Sequence, residues 1–377
     1  MRDKKEKILI LSASFGEGHK QVAIAIIEEI EKSFTEVVPV SMDIMKTTHP
    51  YLSPLSQYLY KGIIRDFPWL YSFLYQKTYL ESTFSKQLNT IFLSRMNSIL
   101  SVIDQIQPKV IISTYPFAAG IVSKLKQAGL INLPTVTVLT DYALHSYWIH
   151  ATTDFYLVGS QNLQDRLLAL NVAPEKILFT GIPVRQQFKQ ISKEGLIEKY
   201  QLHPETLTLL IMGGGDGFFG KGMSMFQAIE SISHPLQIMI VCGKNHKLKT
   251  RLEREFKYSR HLIKIYGFFY DVHELMALSD LMISKPGGIT TSEALTVGLP
   301  LLIQHVLPGQ EEENVNFLIG SGYALCADTE LELKEILQRI IENTDILKTL
   351  RHNIHSIRSG ISLKEALETV RLAEKLS

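Results

Sequence analysis

A short stretch in the second half of the chain combines residue types that bind a nucleoside diphosphate. Residues 281–284 are apolar, as in a buried strand, and the turn Lys285-Pro286-Gly287-Gly288 leads from them into a helical pattern. Backbone N–H groups and the dipole at the start of such a helix favour an anion. Glu293 lies within the first two turns, where acidic residues bind ribose hydroxyls in dinucleotide folds. The stretch therefore predicts a nucleotide site.

A polar cluster follows the next apolar run, residues 300–305. Residues 308–314 read Pro-Gly-Gln-Glu-Glu-Glu-Asn, so that Gln310, Glu311 and Asn314 offer amide and carboxylate groups. Such groups hydrogen-bond the hydroxyls of a sugar. A nucleotide site with a hydroxyl-binding loop beside it indicates a nucleotide-sugar, and we therefore expect a glycosyltransferase.

A glycine-rich loop occupies residues 213–222, where Gly213, Gly214 and Gly215 begin a segment with six glycines in ten residues. It lacks the Gly-Lys-Ser/Thr ending of a P-loop, so NTP hydrolysis is not indicated. A flexible loop that closes over a diphosphate is the better interpretation. Gly243 and Phe268 end two further predicted strands, where the Phe268 backbone would contact a planar base. Both positions are equally compatible with plain turns.

Residues 14–19 lie between the first apolar run and its helix. Gly16 and Gly18 allow close approach of the backbone to a ligand, although their spacing is not the full Gly-x-Gly-x-x-Gly of nicotinamide sites. His19 begins the helix and is predicted to act as a general base with a pKa near neutrality. The alternative is that its side chain caps the helix or packs locally.

A second candidate acid–base group follows a predicted strand at residues 135–139. Asp141 could orient the imidazole of His145, although such a pair is as often structural as catalytic. His145 and His150 have no nearby cysteine with which to build a zinc site, so no metal is predicted. Backbone N–H groups and Lys285 would balance the phosphate charge, and no cofactor is expected.

Composition limits the class of protein. The 377 residues carry a net charge of +1, which does not indicate a nucleic-acid partner. Cys242 and Cys326 are predicted to be reduced and packed in the core. No run reaches the roughly 18–20 apolar residues of a spanning helix. The apolar run at residues 8–13 is too short for a signal peptide, so we expect a cytoplasmic protein.

Residues 51–92 contain eleven aromatic side chains, and basic residues outnumber acidic ones in the same segment. Aromatic and basic side chains together suit the interface of an anionic bilayer, whereas a core-packed helical insertion is the alternative. The residues predicted to contact the acceptor and the membrane are Tyr58, Tyr60, Arg65, Trp69, Tyr71 and Lys77.

Apolar runs alternate with helical patterns along the chain. This alternation predicts an α/β fold with parallel sheets covered by helices on both faces. The pattern restarts after a seam near residues 181–202, which predicts two doubly wound units that face a common cleft. Strands are predicted at residues 8–12, 37–40, 110–113, 135–139, 155–158, 207–212, 237–242, 262–266, 281–284 and 301–304.

Five motifs, taken in order, resemble those of one family. They are Gly-x-Gly-His ending at His19, Thr-Asp-x3-His-x2-Trp-x-His at 140–150, Cys-Gly-Lys-Asn at 242–245, Lys-Pro-Gly-Gly-x-Thr at 285–290 and Pro-Gly-Gln-Glu-x2-Asn at 308–314. The chain is similar over nearly its whole length to the monogalactosyldiacylglycerol synthase group of glycosyltransferase family 28. Within that group it resembles the bacterial processive diacylglycerol β-glucosyltransferases.

The resemblance implies a GT-B fold of two Rossmann-like domains. An N-terminal acceptor domain is expected at residues 1–185 and a C-terminal UDP-sugar donor domain at 186–360, with a helix in 361–377 that packs back on the first domain. By motif match His19 is the candidate base, with Asp141 and His145 as further catalytic candidates. The residues predicted to bind the donor are Gly16, Gly18, Gly213, Gly214, Gly215, Gly243, Phe268, Lys285, Gly287, Gly288, Ile289, Thr290, Glu293, Gln310, Glu311 and Asn314.

The implied activity is inverting transfer of glucose from UDP-glucose to diacylglycerol at the cytoplasmic membrane surface, in one or more successive steps. The expected partners are a UDP-sugar, diacylglycerol and anionic membrane lipids. Two alternatives stay open: a UDP-galactose-dependent monogalactosyldiacylglycerol synthase, and a UDP-sugar sensor without catalysis. The sequence does not define an oligomeric state.

Overall fold

The computed structural model describes residues 5–14, 17–48, 96–217, 219, 223–307, 309–357 and 360–374. The chain divides into two compact units. The first comprises Met1–Gln186, Leu307–Gln310 and Ser359–Ser377, and the second comprises Gln187–Val306 and Glu311–Arg358. Each unit is built on one six-stranded sheet, and every strand pair is parallel.

The first unit carries a sheet in the spatial order β2-β1-β3-β4-β5-β6. Its strands are β1 (Glu6–Ser12), β2 (Val37–Asp43), β3 (Val110–Ser113), β4 (Thr135–Val138), β5 (Phe155–Val158) and β6 (Ile177–Phe179). Its helices are α1 (Gly18–Ser33), α2 (Ile44–Thr48), α3 (Met96–Ile106), α4 (Pro116–Gln127), α5 (Gln161–Ala169) and, near the end of the sequence, α15 (Leu363–Glu374). Short 3-10 helices cover Ser146–Trp148 and Pro174–Lys176.

The centre of this sheet is buried on both faces, as parallel sheets require. Leu9, Ile10 and Leu11 of β1 are fully buried, which explains why the strand reads as a continuous apolar run. Helix α1 buries Val22 and Ile26 on one stripe, and this spacing of four residues fits a helix that packs on the sheet.

Helix α15 returns to the first unit after the chain has passed through the second. The Arg371 guanidinium bonds to Glu6 and Glu36, each at 2.8 Å, and lies 4.9 Å from the centre of the Phe34 ring. Lys109 adds an ion pair with Glu374 at 2.6 Å. These contacts attach the last helix to β1 and to the loop before β2.

The second unit carries a sheet in the order β12-β11-β10-β7-β8-β9. Its strands are β7 (Thr208–Met212), β8 (Gln237–Val241), β9 (Leu262–Tyr266), β10 (Leu281–Ser284), β11 (Leu301–Ile303) and β12 (Ala324–Cys326). The helices from its beginning onwards are α6 (Gln186–Lys189), α7 (Leu196–Lys199), α8 (Ser224–Glu230), α9 (His246–Glu255), α10 (Val272–Leu278), α11 (Gly288–Val297), α12 (Gln310–Gly320), α13 (Glu330–Glu342) and α14 (Asp345–His355).

The core of the second unit lies between this sheet and its helices. Ile211, Ile240 and Ile283 from three neighbouring strands are each 1% exposed and pack in one cluster with Leu333 and Leu337 of α13. The Thr329 side chain and Glu332 form a capping box that fixes the start of α13.

The structure confirms the predicted fold class of two doubly wound, Rossmann-like units. Ten strands were predicted, and their first and last residues agree with the structure to within about three residues. Differences of this size are expected where strands begin and end. Two more strands, β6 and β12, were not predicted. Both are edge strands of three residues, and two residues of each are only partly buried, so neither reads as part of a buried apolar strand. Cys242 is fully buried as expected, whereas Cys326 is only half-buried at the edge strand β12.

The predicted membrane segment lies outside the described residues, together with Tyr58, Tyr60, Arg65, Trp69, Tyr71 and Lys77; Gly16 does as well. Among the residues that the structure does describe, no helix is both long and apolar enough to cross a bilayer.

Candidate functional site

His19 lies in the first turn of α1, just beyond the C-terminal end of β1. Its Nδ1 is 3.1 Å from the Thr140 hydroxyl oxygen, and the Thr114 hydroxyl donates to the His19 backbone oxygen at 3.1 Å. Thr114 and Thr140 follow β3 and β4. Because these strands end at the same edge of a parallel sheet, side chains from distant parts of the sequence meet at the start of α1.

Aromatic rings surround the imidazole. The Tyr115 ring packs edge-on to His19 with centroids 5.2 Å apart, and the Trp148 ring lies 6.1 Å away. Phe117 continues the group from Tyr115 to Tyr147, at 5.5 and 5.2 Å. His19 therefore occupies a mostly apolar corner, with the Thr140 hydroxyl at Nδ1 and the Thr114 backbone as its polar neighbours.

This environment changes the acid–base properties of His19. Burial lowers the pKa of His19 to about 4, and a hydrogen bond with the Thr114 backbone opposes this only in part. The prediction of a pKa near neutrality was wrong, because it left out the desolvation of the charged imidazolium. Near pH 7 the ring is neutral, so one of its nitrogens carries a lone pair that can accept a proton.

The two other catalytic candidates of this unit lie nearby in the sequence but make different contacts. The Asp141 carboxylate accepts a hydrogen bond from Thr140 at 3.5 Å. The Nδ1 atom of His145 accepts the backbone N–H of Tyr147 at 3.2 Å and so caps the short helix Ser146–Trp148. The structure thus connects Asp141 to His19 through Thr140, and it gives His145 a capping role.

In the second unit, three loops pack together at the C-terminal ends of β7, β8 and β10. Gly217 and Gly243 both have positive φ, and a Cβ atom would lie 1.8 Å from Cys242 O at the first and 2.5 Å from Gly215 O at the second. The Lys244 N–H donates to Gly215 O at 3.0 Å. Only glycine fits these positions, so the loop that contains Gly213, Gly214 and Gly215 is held by backbone contacts.

Asn245 links the same loops by its side chain. Its Nδ2 donates to Gly217 O at 3.2 Å, while its Oδ1 accepts the Leu248 N–H at 3.0 Å and caps α9. On β10, the Ser284 hydroxyl donates to Met212 O at 2.9 Å. The glycine loop is therefore fixed from both neighbouring strands.

The β10–α11 turn has the geometry predicted for an anion site. Gly287 is the N-cap of α11, and the Thr291 N–H is the first to bond back, to Gly287 O at 3.0 Å. The backbone N–H groups of Ile289 and Thr290 precede it, in the part of a helix that has no intrahelical acceptors. Together with the helix dipole they favour a phosphate.

Lys285 supplies a cation to this turn. Its Nζ lies 3.2 Å from Glu311 Oε1, and a Cβ atom at Gly214 would lie 3.9 Å from its Cε. The ammonium group thus lies beside both the glycine loop and α12, which begins at Gln310. Lys285 and Glu311, which were both predicted to bind the donor, therefore lie within ion-pair distance of each other.

Two other predicted donor residues differ in exposure. Glu293 lies in the second turn of α11 and is 8% exposed. Phe268 is 44% exposed beyond β9, and the Lys244 ammonium lies 5.6 Å from the centre of its ring. Phe268 is thus open to a planar ligand, whereas Glu293 offers only a small part of its surface.

Asn314 and Gly18 have supporting positions. Asn314 is fully buried and its amide donates to Pro286 O at 2.8 Å, so it holds the β10–α11 turn from below. Gly18 is the first residue of α1. The predicted donor contacts of these two residues stay predictions, and the structure gives both a local structural role.

Three residues of these sites were given no role from the sequence, although two of them lie in the family motifs: Thr140, Ser284 and Asn245. Thr140 and Ser284 each follow or end a buried strand, and Asn245 follows a glycine before a helix, which is an N-cap signal. No group of three or more His, Cys, Asp or Glu side chains within the described parts of the chain is arranged to hold a metal ion.

Structural comparison defines the class of fold. MurG from Acinetobacter baumannii superposes with a TM-score of 0.64 at 14% identity, covering 98% of this chain and 99% of that one. A UDP-GlcNAc 2-epimerase from Neisseria meningitidis, bound to UDP-GlcNAc, gives a TM-score of 0.60 at 16% identity and covers 97% and 99%. The fold is therefore GT-B, and since an epimerase shares it, the fold alone does not define the reaction.

Sequence comparison defines the family. The model described as monogalactosyldiacylglycerol (MGDG) synthase matches residues 19–184, and the model of the glycosyltransferase family 28 C-terminal domain matches residues 208–360. Processive diacylglycerol beta-glucosyltransferases from Bacillus subtilis (strain 168) and Bacillus licheniformis are 31% and 32% identical over 367 residues, which is 97% of this chain and 94% of each relative. The chain belongs to this family of glycosyltransferases, and the resemblance of its motifs is confirmed.

Proposed function

We propose that this protein transfers glucose from UDP-glucose to the hydroxyl of diacylglycerol with inversion at the anomeric carbon, and that it does so in one or more successive steps. The second unit binds the donor and the first unit supplies the base. The relatives named processive diacylglycerol beta-glucosyltransferase support the choice of glucose and diacylglycerol.

The observation that carries the proposal is the β10–α11 turn of the second unit. It combines a helix N-terminus, the Lys285 ammonium and a glycine loop within one group of strand ends. These groups can bind a diphosphate and stabilise the negative charge that develops on it as it leaves. Glu293, five residues after the first residue of the helix, is the proposed ribose ligand, with Gln310 and Glu311 for the sugar hydroxyls.

The chemical step needs a base that can take the proton of an uncharged hydroxyl. The acceptor oxygen attacks the anomeric carbon, the bond from that carbon to the UDP oxygen breaks, and UDP leaves with the electron pair. The acceptor proton passes to the neutral imidazole of His19. Because a lipid alcohol is itself uncharged, the aromatic corner around His19 does not oppose its approach.

We propose that the reaction proceeds without a metal ion. The negative charge that develops on UDP is met by the Lys285 ammonium and by the N–H groups of Ile289 and Thr290. Dialysis against EDTA followed by assay without added divalent ions should then leave turnover unchanged. A loss of turnover that Mg²⁺ or Mn²⁺ restores would contradict this part of the proposal.

The protein is further proposed to act at the cytoplasmic surface of the membrane, since diacylglycerol stays in the bilayer through its acyl chains. The aromatic and basic composition of residues 51–92 supports this proposal.

The decisive experiment is turnover on anionic liposomes that contain diacylglycerol, with UDP-glucose and UDP-galactose offered separately and the glycolipids resolved by mass. Glucosyl-diacylglycerol, with di- and trihexosyl products at longer times, is the expected result. Glycolipid formed only with UDP-galactose would show that the donor is UDP-galactose and not UDP-glucose. UDP binding without any glycolipid from either donor would favour a sensor instead.

A further inference from the structure

Thr140 has no role in the function proposed so far. Its side chain is 2% exposed, and its hydroxyl oxygen lies 3.1 Å from Nδ1 of His19. On the other side the hydroxyl donates to Asp141 Oδ2 at 3.5 Å. The three side chains form a continuous series of contacts from the imidazole to a carboxylate.

A threonine hydroxyl has one proton to donate and lone pairs with which to accept. When its proton points to Asp141, the oxygen can only accept from His19, and this requires the proton of the neutral ring to be on Nδ1. The lone pair of the imidazole is then on Nε2. We propose that Thr140 is a positioning residue that fixes this tautomer of His19, a role that rests on the proposed function of His19 as the base.

The surroundings of the ring favour one fixed orientation. The Thr114 hydroxyl holds the His19 backbone, and the edge-on Tyr115 ring and the tilted Trp148 ring limit rotation of the imidazole. With Nδ1 directed at Thr140, the proposed role of Thr140 assigns Nε2 to the substrate, and it requires the hydrogen bond with the Thr114 backbone to leave that nitrogen accessible. The opposite tautomer would put a proton on Nε2, where the reaction needs a lone pair.

In the reaction, Nε2 takes the proton of the acceptor hydroxyl while the acceptor oxygen bonds to the anomeric carbon and UDP leaves with the electron pair of the broken bond. Nδ1 keeps its own proton throughout. The resulting imidazolium donates to Thr140, whose hydroxyl still donates to Asp141, so the carboxylate stabilises the new positive charge through one intervening group. The imidazolium later releases the Nε2 proton to water.

The first test observes the tautomer directly and does not depend on turnover. The full chain, labelled with 15N-histidine, is studied near pH 7 by long-range 1H–15N correlation, and His19 is assigned among the 12 histidines by its loss in His19→Ala. We expect protonated Nδ1 and bare Nε2 in the wild type and in Thr140→Ser, with a shift towards protonated Nε2 in Thr140→Val. Protonated Nε2 in the wild type, or an unchanged tautomer in Thr140→Val, would overturn the proposal.

The second test separates positioning from folding. Thr140→Val should lower kcat on the order of 10–10³-fold, as expected when a base is held in the wrong tautomer, with an unchanged KM for the UDP-sugar. Thr140→Ser should recover most of kcat. Thr137→Val is the matched control, since Thr137 is equally buried on β4 itself, and it should keep wild-type kcat.

The two tests also distinguish this inference from the proposed function. If no glycolipid forms from any donor, the proposed function fails while the tautomer measurement still stands. If glycolipid forms but Thr140→Val turns over like the wild type, the function stands and the role of Thr140 is rejected.

Discussion

The His19 corner of the first unit and the glycine loops of the second unit use different parts of the polypeptide for their chemistry. At His19 a single side chain is held by the hydroxyls of Thr114 and Thr140 and by aromatic rings. In the second unit, backbone atoms at Gly217 and Gly243 approach so closely that no side chain fits between them.

The two regions should therefore tolerate different kinds of substitution. Truncation of the His19 side chain should disable the first region, because its proposed chemistry depends on one imidazole. The second region should instead be damaged by added atoms, since its shape depends on the absence of Cβ. The predictions below test this contrast, beginning with the largest effect.

Removal of the proposed base, His19, should have the largest effect. His19→Ala should lower kcat by about 10²–10⁴-fold, the usual scale for a general base. UDP affinity, measured by calorimetry, should stay at the wild-type value because the proposed donor site lies in the second unit. A loss of UDP affinity as large as the loss of kcat would show that His19 binds the donor. The two regions would then not have separate roles.

Removal of the proposed ribose ligand should act on binding instead. Glu293→Ala should weaken UDP roughly 10–10²-fold, the scale of lost hydrogen bonds to a charged group. Glu335→Ala, an exposed carboxylate on α13 of the same unit, is the matched control and should bind UDP normally. If the two variants bind UDP equally well, Glu293 does not contact the ribose.

Addition of one methyl group should destabilise the second unit. Gly217→Ala forces a Cβ onto Cys242 O at a positive φ, which should cost on the order of 1–3 kcal/mol and lower the Tm by several degrees. Gly320→Ala, at the end of α12 with nothing within 4 Å of the new Cβ, should leave the Tm unchanged or slightly higher. A similar loss in both variants would mean that the close backbone contact at Gly217 is unimportant.

The burial of His19 should also make stability depend on pH. The pKa of His19 is lowered to about 4 in the folded protein, below its ordinary value of 6.5, so between these values only the unfolded chain binds the proton. The contribution of His19 to the free energy of unfolding should therefore be fully present above about pH 6.5 and decrease as the pH falls towards 4. Below pH 4 this group should cause no further change.

Thermal unfolding at pH 7 and pH 5 measures this dependence. His19→Gln should show a smaller loss of Tm between the two values than the wild type. Some loss should remain, because burial also lowers the pKa of His150 and His305. Identical losses in both proteins would show that His19 titrates normally in the folded state.

Much of the fold could be predicted because the strands are buried on both faces and therefore read as apolar runs. β1 and β10 are examples, and each is followed by a glycine turn and a helix. The residues at their ends, His19 and Glu293, were predicted from the rule that ligands bind where parallel strands end.

The sequence could not predict contacts between residues that are far apart along the chain, or properties that arise from such contacts. The contact of Thr140 with His19 joins residues 121 positions apart, and the lowered pKa of His19 arises from burial that no local pattern shows. Likewise, the complete burial of Asn314 beneath the β10–α11 turn depends on how α12 packs, which the polar cluster of residues 308–314 does not reveal.

The return of α15 to the first unit has a consequence for synthesis on the ribosome. Residues 363–374 are translated after the whole of the second unit, yet Arg371 binds Glu6 and Glu36 of the first. The first unit therefore remains open at this position while the second unit is being made. Nascent chains begin to fold from the N-terminus, so here the unit that starts folding first is the one that is completed last.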